Sequence, residues 1–134
     1  MSTTAIERLP IITSADVVRV RNAVRVIAER LGFRNIDVTK LVTAASEIGR
    51  NTLVYGGGGT ADVESVNSER RSGVRVTFED HGPGIADIQL AFREGYTTGG
   101  GMGLGLGGAR KLVDEFEIDS EVARGTRVTL TKWR

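Results

Sequence analysis

Val74-Arg75-Val76-Thr77-Phe78-Glu79-Asp80-His81-Gly82-Pro83-Gly84 begins with apolar residues at every second position and breaks abruptly after an acidic pair. The alternation of Val74, Val76 and Phe78 with Arg75 and Thr77 has the period of a half-buried strand. Asp80 stands where that strand stops. Gly82, Pro83 and Gly84 then turn the chain sharply, which leaves a carboxylate at a strand end with room beside it for a ligand. An ordinary Asp-containing turn reads the same way in isolation, so the flanking segments have to decide.

Upstream, Ala61, Val63 and Ser65 alternate with Asp62 and Glu64 and predict a second strand, with Asn67 to Gly73 as the turn between the two. Before it, Val17, Val20, Val24, Ile27, Ala28 and Leu31 recur at helical spacing and predict a helix from Ser14, as cap, to Leu31, with Gly32 as its left-handed stop. A second helix is expected from about Asp37, as cap, to Tyr55. It buries Leu41, Ala45, Ile48 and Thr52, and the run Gly56 to Gly59 ends it.

Downstream, a short helical piece is expected from about Asp87 to Phe92, and seven glycines crowd Gly95 to Gly107. Ala109, Leu112, Val113 and Phe116 at i, i+3, i+4 and i+7 predict a further helix. Strand-like runs follow at Glu117 to Val122 and Thr126 to Trp133, with Gly125 turning between them. Strands and helices do not alternate strictly, which predicts an α+β sandwich with helices on one face of a mostly antiparallel sheet. A chain of 134 residues, 40% apolar, holds one core, so residues 1–134 read as a single domain.

The totals exclude several function classes. Eighteen basic residues against seventeen acidic ones leave no broad positive field, so nucleic acid is not an expected partner. The absence of cysteine removes disulfides and thiolate metal clusters and suits a reducing compartment. Glu7 and Arg8 interrupt the N-terminal region before any apolar run develops, and no apolar stretch approaches the roughly 18 residues of a membrane helix. The expectation is a soluble cytoplasmic protein with no membrane partner.

Glu47 and Asn51 lie four apart on the second predicted helix, so their side chains share a face displaced from the buried stripe. Alone, such a pair reads as helix decoration, with Glu47 bonded to Arg50 or Asn51. Thr97 to Gly108 reads Thr-Thr-Gly-Gly-Gly-Met-Gly-Leu-Gly-Leu-Gly-Gly and leads into a helix. Glycines let backbone N–H groups approach phosphate oxygens, and a flexible linker would rarely set Met102, Leu104 and Leu106 so regularly among them.

Other phosphate-binding patterns fail. Gly103-Leu104-Gly105-Leu106-Gly107-Gly108 satisfies Gly-x-Gly-x-x-Gly but lacks the preceding hydrophobic strand of a dinucleotide site, and no Gly-Lys-Ser/Thr follows to make a P-loop. Asp80-His81-Gly82 resembles the metal-binding triplet of eukaryotic-type protein kinases only superficially, because no His-Arg-Asp loop exists and two lobes would not fit. His81, the one histidine, reads as an exposed turn residue.

In chain order, Ser46-Glu47-Ile48-Gly49-Arg50-Asn51, Asp80-His81-Gly82-Pro83-Gly84-Ile85, Gly101-Met102-Gly103-Leu104-Gly105-Leu106 and Gly125-Thr126 resemble the ATP-binding domain shared by DNA gyrase, the Hsp-type chaperones, histidine kinases and MutL, the GHKL superfamily. The resemblance spans nearly the whole chain. Within it, the short length, Asp114-Glu115-Phe116 and the terminal Thr131-Lys132-Trp133-Arg134 are similar to the RsbT-type serine/threonine kinases, switch kinases of the bacterial stressosome. The implied fold is a two-layer α/β sandwich of the Bergerat type, α+β, with a mixed but mostly antiparallel sheet, helices on one face and a glycine-rich ATP lid.

The resemblance further implies ATP and Mg²⁺ as cofactors. Asp80 would accept a hydrogen bond from the adenine amino group, in a turn completed by Gly82, Gly84 and Ile85. Asn51 would hold Mg²⁺ through its amide oxygen, Thr126 would reach adenine through water, and Glu47 would act as general base. Gly101, Gly103, Leu104 and Gly105 would belong to the lid and its backbone phosphate donors, with Arg110 or Lys111 adding charge unless both are simply an exposed helix face. The implied activity is phosphorylation of serine or threonine on STAS-domain proteins, with activation of a downstream phosphatase on release from them. The alternatives are an RsbW-like kinase that captures a sigma factor, and a binding module in which ATP sets the lid and Glu47 is idle.

Overall fold

The alternating segments that decide the fold become two ten-residue strands paired antiparallel, Gly59–Ser68 and Arg71–Asp80, with Ala61 opposite Phe78 and Val63 opposite Val76. The computed structural model describes residues 2–88, 97–98, 102–103 and 105–134. In chain order its elements are β1 (Ser2–Ile11), α1 (Ser14–Arg30), α2 (Asn35–Val54), β2 (Gly59–Ser68), β3 (Arg71–Asp80), β4 (Thr97–Thr98), β5 (Met102–Gly103), α3 (Leu106–Leu112), β6 (Glu115–Glu121) and β7 (Gly125–Trp133). Five strands form one sheet in the order β1-β2-β3-β7-β6, and β4 pairs with β5. All pairings among the described strands are antiparallel, stricter than the mixed, mostly antiparallel sheet implied by the sequence.

The core follows from the register. Val63, Val76, Leu130 and Phe116 stand in one row across β2, β3, β7 and β6, and Ala61, Phe78, Val128 and Ile118 in the next. Against this face pack Val20, Val24 and Ala28 of α1, Leu41, Ala45 and Ile48 of α2, and Leu106 and Ala109 of α3. The expected α2 stripe, including Thr52, is buried throughout. Each fully buried Val, Leu, Ile or Phe contributes about 1.5–3 kcal/mol, so the sandwich is held chiefly by this single layer of contacts.

The opposite face of the sheet carries no helix among the described elements and is charged. Arg8 meets Asp62 at 2.7 Å, Arg75 meets Glu64 at 2.6 Å, and Arg127 meets Glu79 at 2.8 Å, each pair being direct cross-strand partners. At one end of this face Trp133 lies opposite Gly73, with the Arg71 guanidinium 4.1 Å from its ring centroid and its indole N–H donating to Glu115 Oε2 at 2.6 Å.

One element is new and three local expectations are corrected. The N-terminal region, read only for leader signals, forms β1, an edge strand on which Pro10 is tolerated because one side has no partner to hydrogen-bond. The α1 cap is Thr13, not Ser14. Asp16 makes it so: its carboxylate accepts the N–H groups of Ile12 at 2.9 Å and Thr13 at 3.0 Å, and these bonds hold it below the usual carboxylate range. The α2 cap is Arg34, with Asp37 inside the first turn, where a carboxylate favours the helix dipole and accepts Arg34 Nε at 3.0 Å. Gly32, at φ +82°, does stop α1 as expected.

The helix predicted through Phe116 starts earlier and stops at Leu112. Asp114 ends it by docking on β7: its N–H donates to Thr131 O at 3.0 Å and its carboxylate accepts Trp133 N–H at 2.7 Å. Phe116 still faces the core, but from β6, so its helical spacing was coincidental. The short helical piece expected at about Asp87 to Phe92 lies largely outside the described residues.

Candidate functional site

Asp80 occupies the last position of β3 and is 7% exposed. Burial raises its carboxyl pKa above the ordinary value, while hydrogen bonds from the Gly82 and Thr126 backbone N–H groups oppose the rise. The Gly82 bond measures 2.9 Å. Two glycines make the position possible. A methyl at Gly56 would lie 2.4 Å from Asp80 Cγ, and one at Gly125, where φ is +123°, would lie 2.1 Å from Asp80 O. The absence of a Cβ therefore lets the segment after α2 close on the Asp80 carboxylate and the start of β7 close on the Asp80 main chain.

Asn51, Tyr55, Asp80, Ile85, Leu106 and Thr126 line one cavity, floored by Ile48, Thr52, Phe78 and Val128. Its volume, about 20 Å³, has room for about one water, so a larger ligand enters only if the lining residues yield. A larger concavity of about 650 Å³ lies on the charged sheet face, where Arg8, Arg75 and Arg127 are each matched by a carboxylate. We take the smaller, mostly apolar cavity as the site, because it combines an apolar lining with a few convergent polar groups.

Glu47 lies one helical turn before Asn51. Its Oε1 accepts Arg50 Nη1 at 3.1 Å, the pairing open to it as helix decoration, and the carboxylate is 40% exposed. Its Oε2 lies against the start of α3: a methyl at Gly105, the residue preceding that helix, would come within 2.7 Å of it. The carboxylate thus stands at the junction of α2 and the glycine-rich segment.

Gly84 and Ile85 are held in the turn after β3 by two bonds that the sequence reading missed. Tyr55 Oη donates to Gly84 O at 2.8 Å, and Ile85 N–H donates to Ser120 Oγ at 2.8 Å. Tyr55 was legible, being the next i+4 step after Glu47 and Asn51. Ser120 carried a weaker signal as a hydroxyl in the apolar phase of Phe116, Ile118 and Ser120.

The remaining expected residues divide. Gly103 pairs with Thr97 between β5 and β4, whereas Gly101 and Leu104 lie outside the described residues. Arg110 and Lys111 are exposed on α3 and do not line the cavity, although both engage in interactions within the fold. His81 is exposed, as expected.

Among the described residues no group of three or more His, Asp or Glu side chains is placed to hold a metal. The donors present fit a hard ion that keeps most of its water and takes one amide oxygen from the protein, as Mg²⁺ does when phosphates supply the other ligands. Asn51 lines the cavity and would be the residue to give it. No described helix is long and apolar enough to cross a membrane.

Residues 36–134 match the family model described as histidine kinase-, DNA gyrase B- and HSP90-like ATPase. The chain is 39% identical over 123 residues, 92% of each chain, to the serine/threonine-protein kinase RsbT of Bacillus subtilis (strain 168). It is 29% identical over 118 residues to the anti-sigma F factor of Thermoanaerobacter sp. (strain X514), covering 84% of this chain and 82% of that one. To the anti-sigma F factor of Halalkalibacterium halodurans it is 32% identical over 101 residues, 72% and 69% of the two chains. The catalytic domain of histidine kinase ThkA superposes with a TM-score of 0.55 at 17% identity, over 96% of this chain and 95% of that one, a likeness of fold. The Asp80 strand end, the Asn51 helix face and the glycine-rich entry to α3 thus occur in a chain that belongs to the histidine kinase-, DNA gyrase B- and HSP90-like ATPase family and, within it, to the RsbT group of serine/threonine-protein kinases.

Proposed function

We propose that the chain is an ATP-dependent serine/threonine kinase of bacterial cytoplasm that phosphorylates STAS-domain proteins and, once released by them, activates a downstream phosphatase. The observation that carries the reading is the meeting of Asp80, Asn51 and Thr126 on one cavity, with Glu47 a turn away at the foot of the lid. Asp80 accepts a hydrogen bond from the amino group of adenine, a bond that guanine, with a carbonyl there, cannot offer. The turn from Gly82 to Ile85 walls the base. The lid, with Gly101, Gly103, Leu104 and Gly105, supplies backbone donors to the phosphates, and Arg110 or Lys111 adds charge beside them.

Asn51 would hold Mg²⁺ through its amide oxygen, and the bound ion would supply neutralisation of charge on the transferring group. Glu47 takes the proton of the partner's hydroxyl. The hydroxyl oxygen bonds to the γ-phosphorus as the bond to the ADP oxygen breaks, so ATP and alcohol become ADP, phosphate ester and one proton. Arg50 holds Glu47 Oε1, which leaves Oε2 toward the lid for that proton. A base of this kind contributes about 10²–10⁴ in rate.

The likeness to anti-sigma F factors favours a second reading, capture of an RNA polymerase sigma factor by an RsbW-like kinase. The test mixes the protein with labelled ATP, Mg²⁺ and candidate STAS-domain proteins, followed by phosphatase and sigma-factor binding assays. Label on a partner serine or threonine, with phosphatase activation by the freed protein, is the expected result. Tight sigma-factor capture without phosphatase activation moves the assignment to the second reading. ATP binding with no label on any partner reduces the protein to an ATP-gated binding module.

A further inference from the structure

Asp80, Thr126 and Ser120 form one row across β3, β7 and β6, in the register that places Phe78, Val128 and Ile118 in the next. Ser120 is thus a hydroxyl on the core face of its strand, where its two predecessors in phase are apolar. Its oxygen has three neighbours: Ile85 N–H at 2.8 Å, Thr126 Oγ1 at 2.7 Å and Gly125 O at 3.2 Å. A hydroxyl has one proton and two lone pairs, which permits two proton arrangements. In one, Thr126 donates to Ser120 and Ser120 donates to Gly125 O, so Thr126 presents only lone pairs to the cavity. In the other, Ser120 donates to Thr126 Oγ1, and the Thr126 proton points into the cavity. The second arrangement gives up only the longest of the three contacts.

A base edge that sets a ring nitrogen acceptor, as at N1 of adenine, directly against the Thr126 hydroxyl requires the second arrangement. We propose that Ser120 is a positioning residue for the nucleotide base: by donating to Thr126 it turns the Thr126 hydroxyl into a donor, and by accepting Ile85 N–H it locks the turn after β3 to the same point. One side chain then sets both the wall and the second polar contact of the base site, while itself standing behind Thr126. The inference rests on the reading that adenine is held between Asp80 and Thr126.

The test is a cycle of Ser120→Ala and Thr126→Val, with Ser120→Thr as the conservative variant, measured by calorimetric Kd for ATP and for 1-deaza-ATP, whose ring carries C–H in place of N1. Ser120→Ala is expected to raise the Kd for ATP about tenfold, the worth of one hydrogen bond at the upper end of its range. The loss should shrink in the Thr126→Val background and with 1-deaza-ATP to the part carried by the Ile85 turn. Ser120→Thr should restore affinity, and kcat at saturating ATP should stay near wild type. A Ser120→Ala loss that multiplies with Thr126→Val, or that is equal for ATP and 1-deaza-ATP, makes Ser120 a structural residue and overturns the proposal, as does no loss at all. If Asp80→Asn and Thr126→Val both leave ATP affinity unchanged, the underlying placement of adenine has failed instead.

Discussion

Replacing Asp80 by Asn keeps the size of the side chain and removes its charge at the point where the base is to be recognised. Gly82 N–H already takes one oxygen at 2.9 Å, and Thr126 N–H also bonds the carboxylate. In the variant the one remaining oxygen has to serve these backbone donors, and the new NH₂ faces the adenine amino group, donor against donor. The lost bond is one to a charged acceptor, worth about 1.5–3 kcal/mol. That corresponds to a rise of roughly 10- to 150-fold in the Kd for ATP. The assay is titration calorimetry with ATP and GTP on wild type and Asp80→Asn. GTP should recover relative to ATP in the variant, because its ring carbonyl can now accept from the amide. A Kd for ATP within twofold of wild type would falsify the placement of adenine at Asp80.

Three further outcomes are expected. Glu47→Ala should retain ATP affinity and lose about 10²–10⁴ in phosphoryl transfer, read by labelled-phosphate incorporation at saturating ATP; full transfer would remove Glu47 as the base. Gly56→Ala sets a methyl 2.4 Å from Asp80 Cγ, with backbone on one side and a buried carboxylate on the other, so both thermal stability and ATP binding should drop; wild-type values for both would show that the contact relaxes freely. The third concerns pH. Because burial raises the Asp80 pKa, the folded state holds that proton more tightly than the unfolded chain. Its contribution to stability is therefore full below the unfolded value of about 3.8 and is lost as pH rises through the folded pKa. In urea unfolding, the stability of wild type minus that of Asp80→Asn should fall as pH rises through this window. A difference that grows with pH rejects the burial argument. Asp16 and Asp37, both depressed, act with the opposite sign and cancel in that difference.

Much of this molecule was legible because two periods dominate it. The two-residue alternation of 61–65 and 74–78 placed β2 and β3 and put Asp80 at a strand end, and the four-residue step from Glu47 to Asn51 set both on one helix face. The sequence could not separate helix from strand at Phe116, where apolar spacing satisfied both readings and a long-range contact, Asp114 on β7, decided. Nor could it find β1, whose pairing with β2 is a tertiary fact with little local patterning around Pro10. Gly56 illustrates the deepest gap. In the sequence it is one of four consecutive glycines that end a helix, and only the approach of a carboxylate from a strand 24 residues later explains why a glycine is required.

The chain has a single tryptophan, and its location makes an unplanned optical control. Trp133 stands opposite Gly73, near the start of β3, whereas the proposed nucleotide site is at the far end, where Asp80 stands opposite Thr126. Seven residues of strand separate the two, about 23 Å at roughly 3.3 Å per residue, and the indole lies on the charged face, not the helix-covered one. Its emission depends on Arg71 above the ring and Glu115 at its nitrogen, contacts that join β3, β6 and β7 and persist only while the sheet is paired. Intrinsic fluorescence should therefore report the integrity of the sheet and stay silent as ligand fills the cavity, so that loss of binding and loss of folding can be told apart in one cuvette.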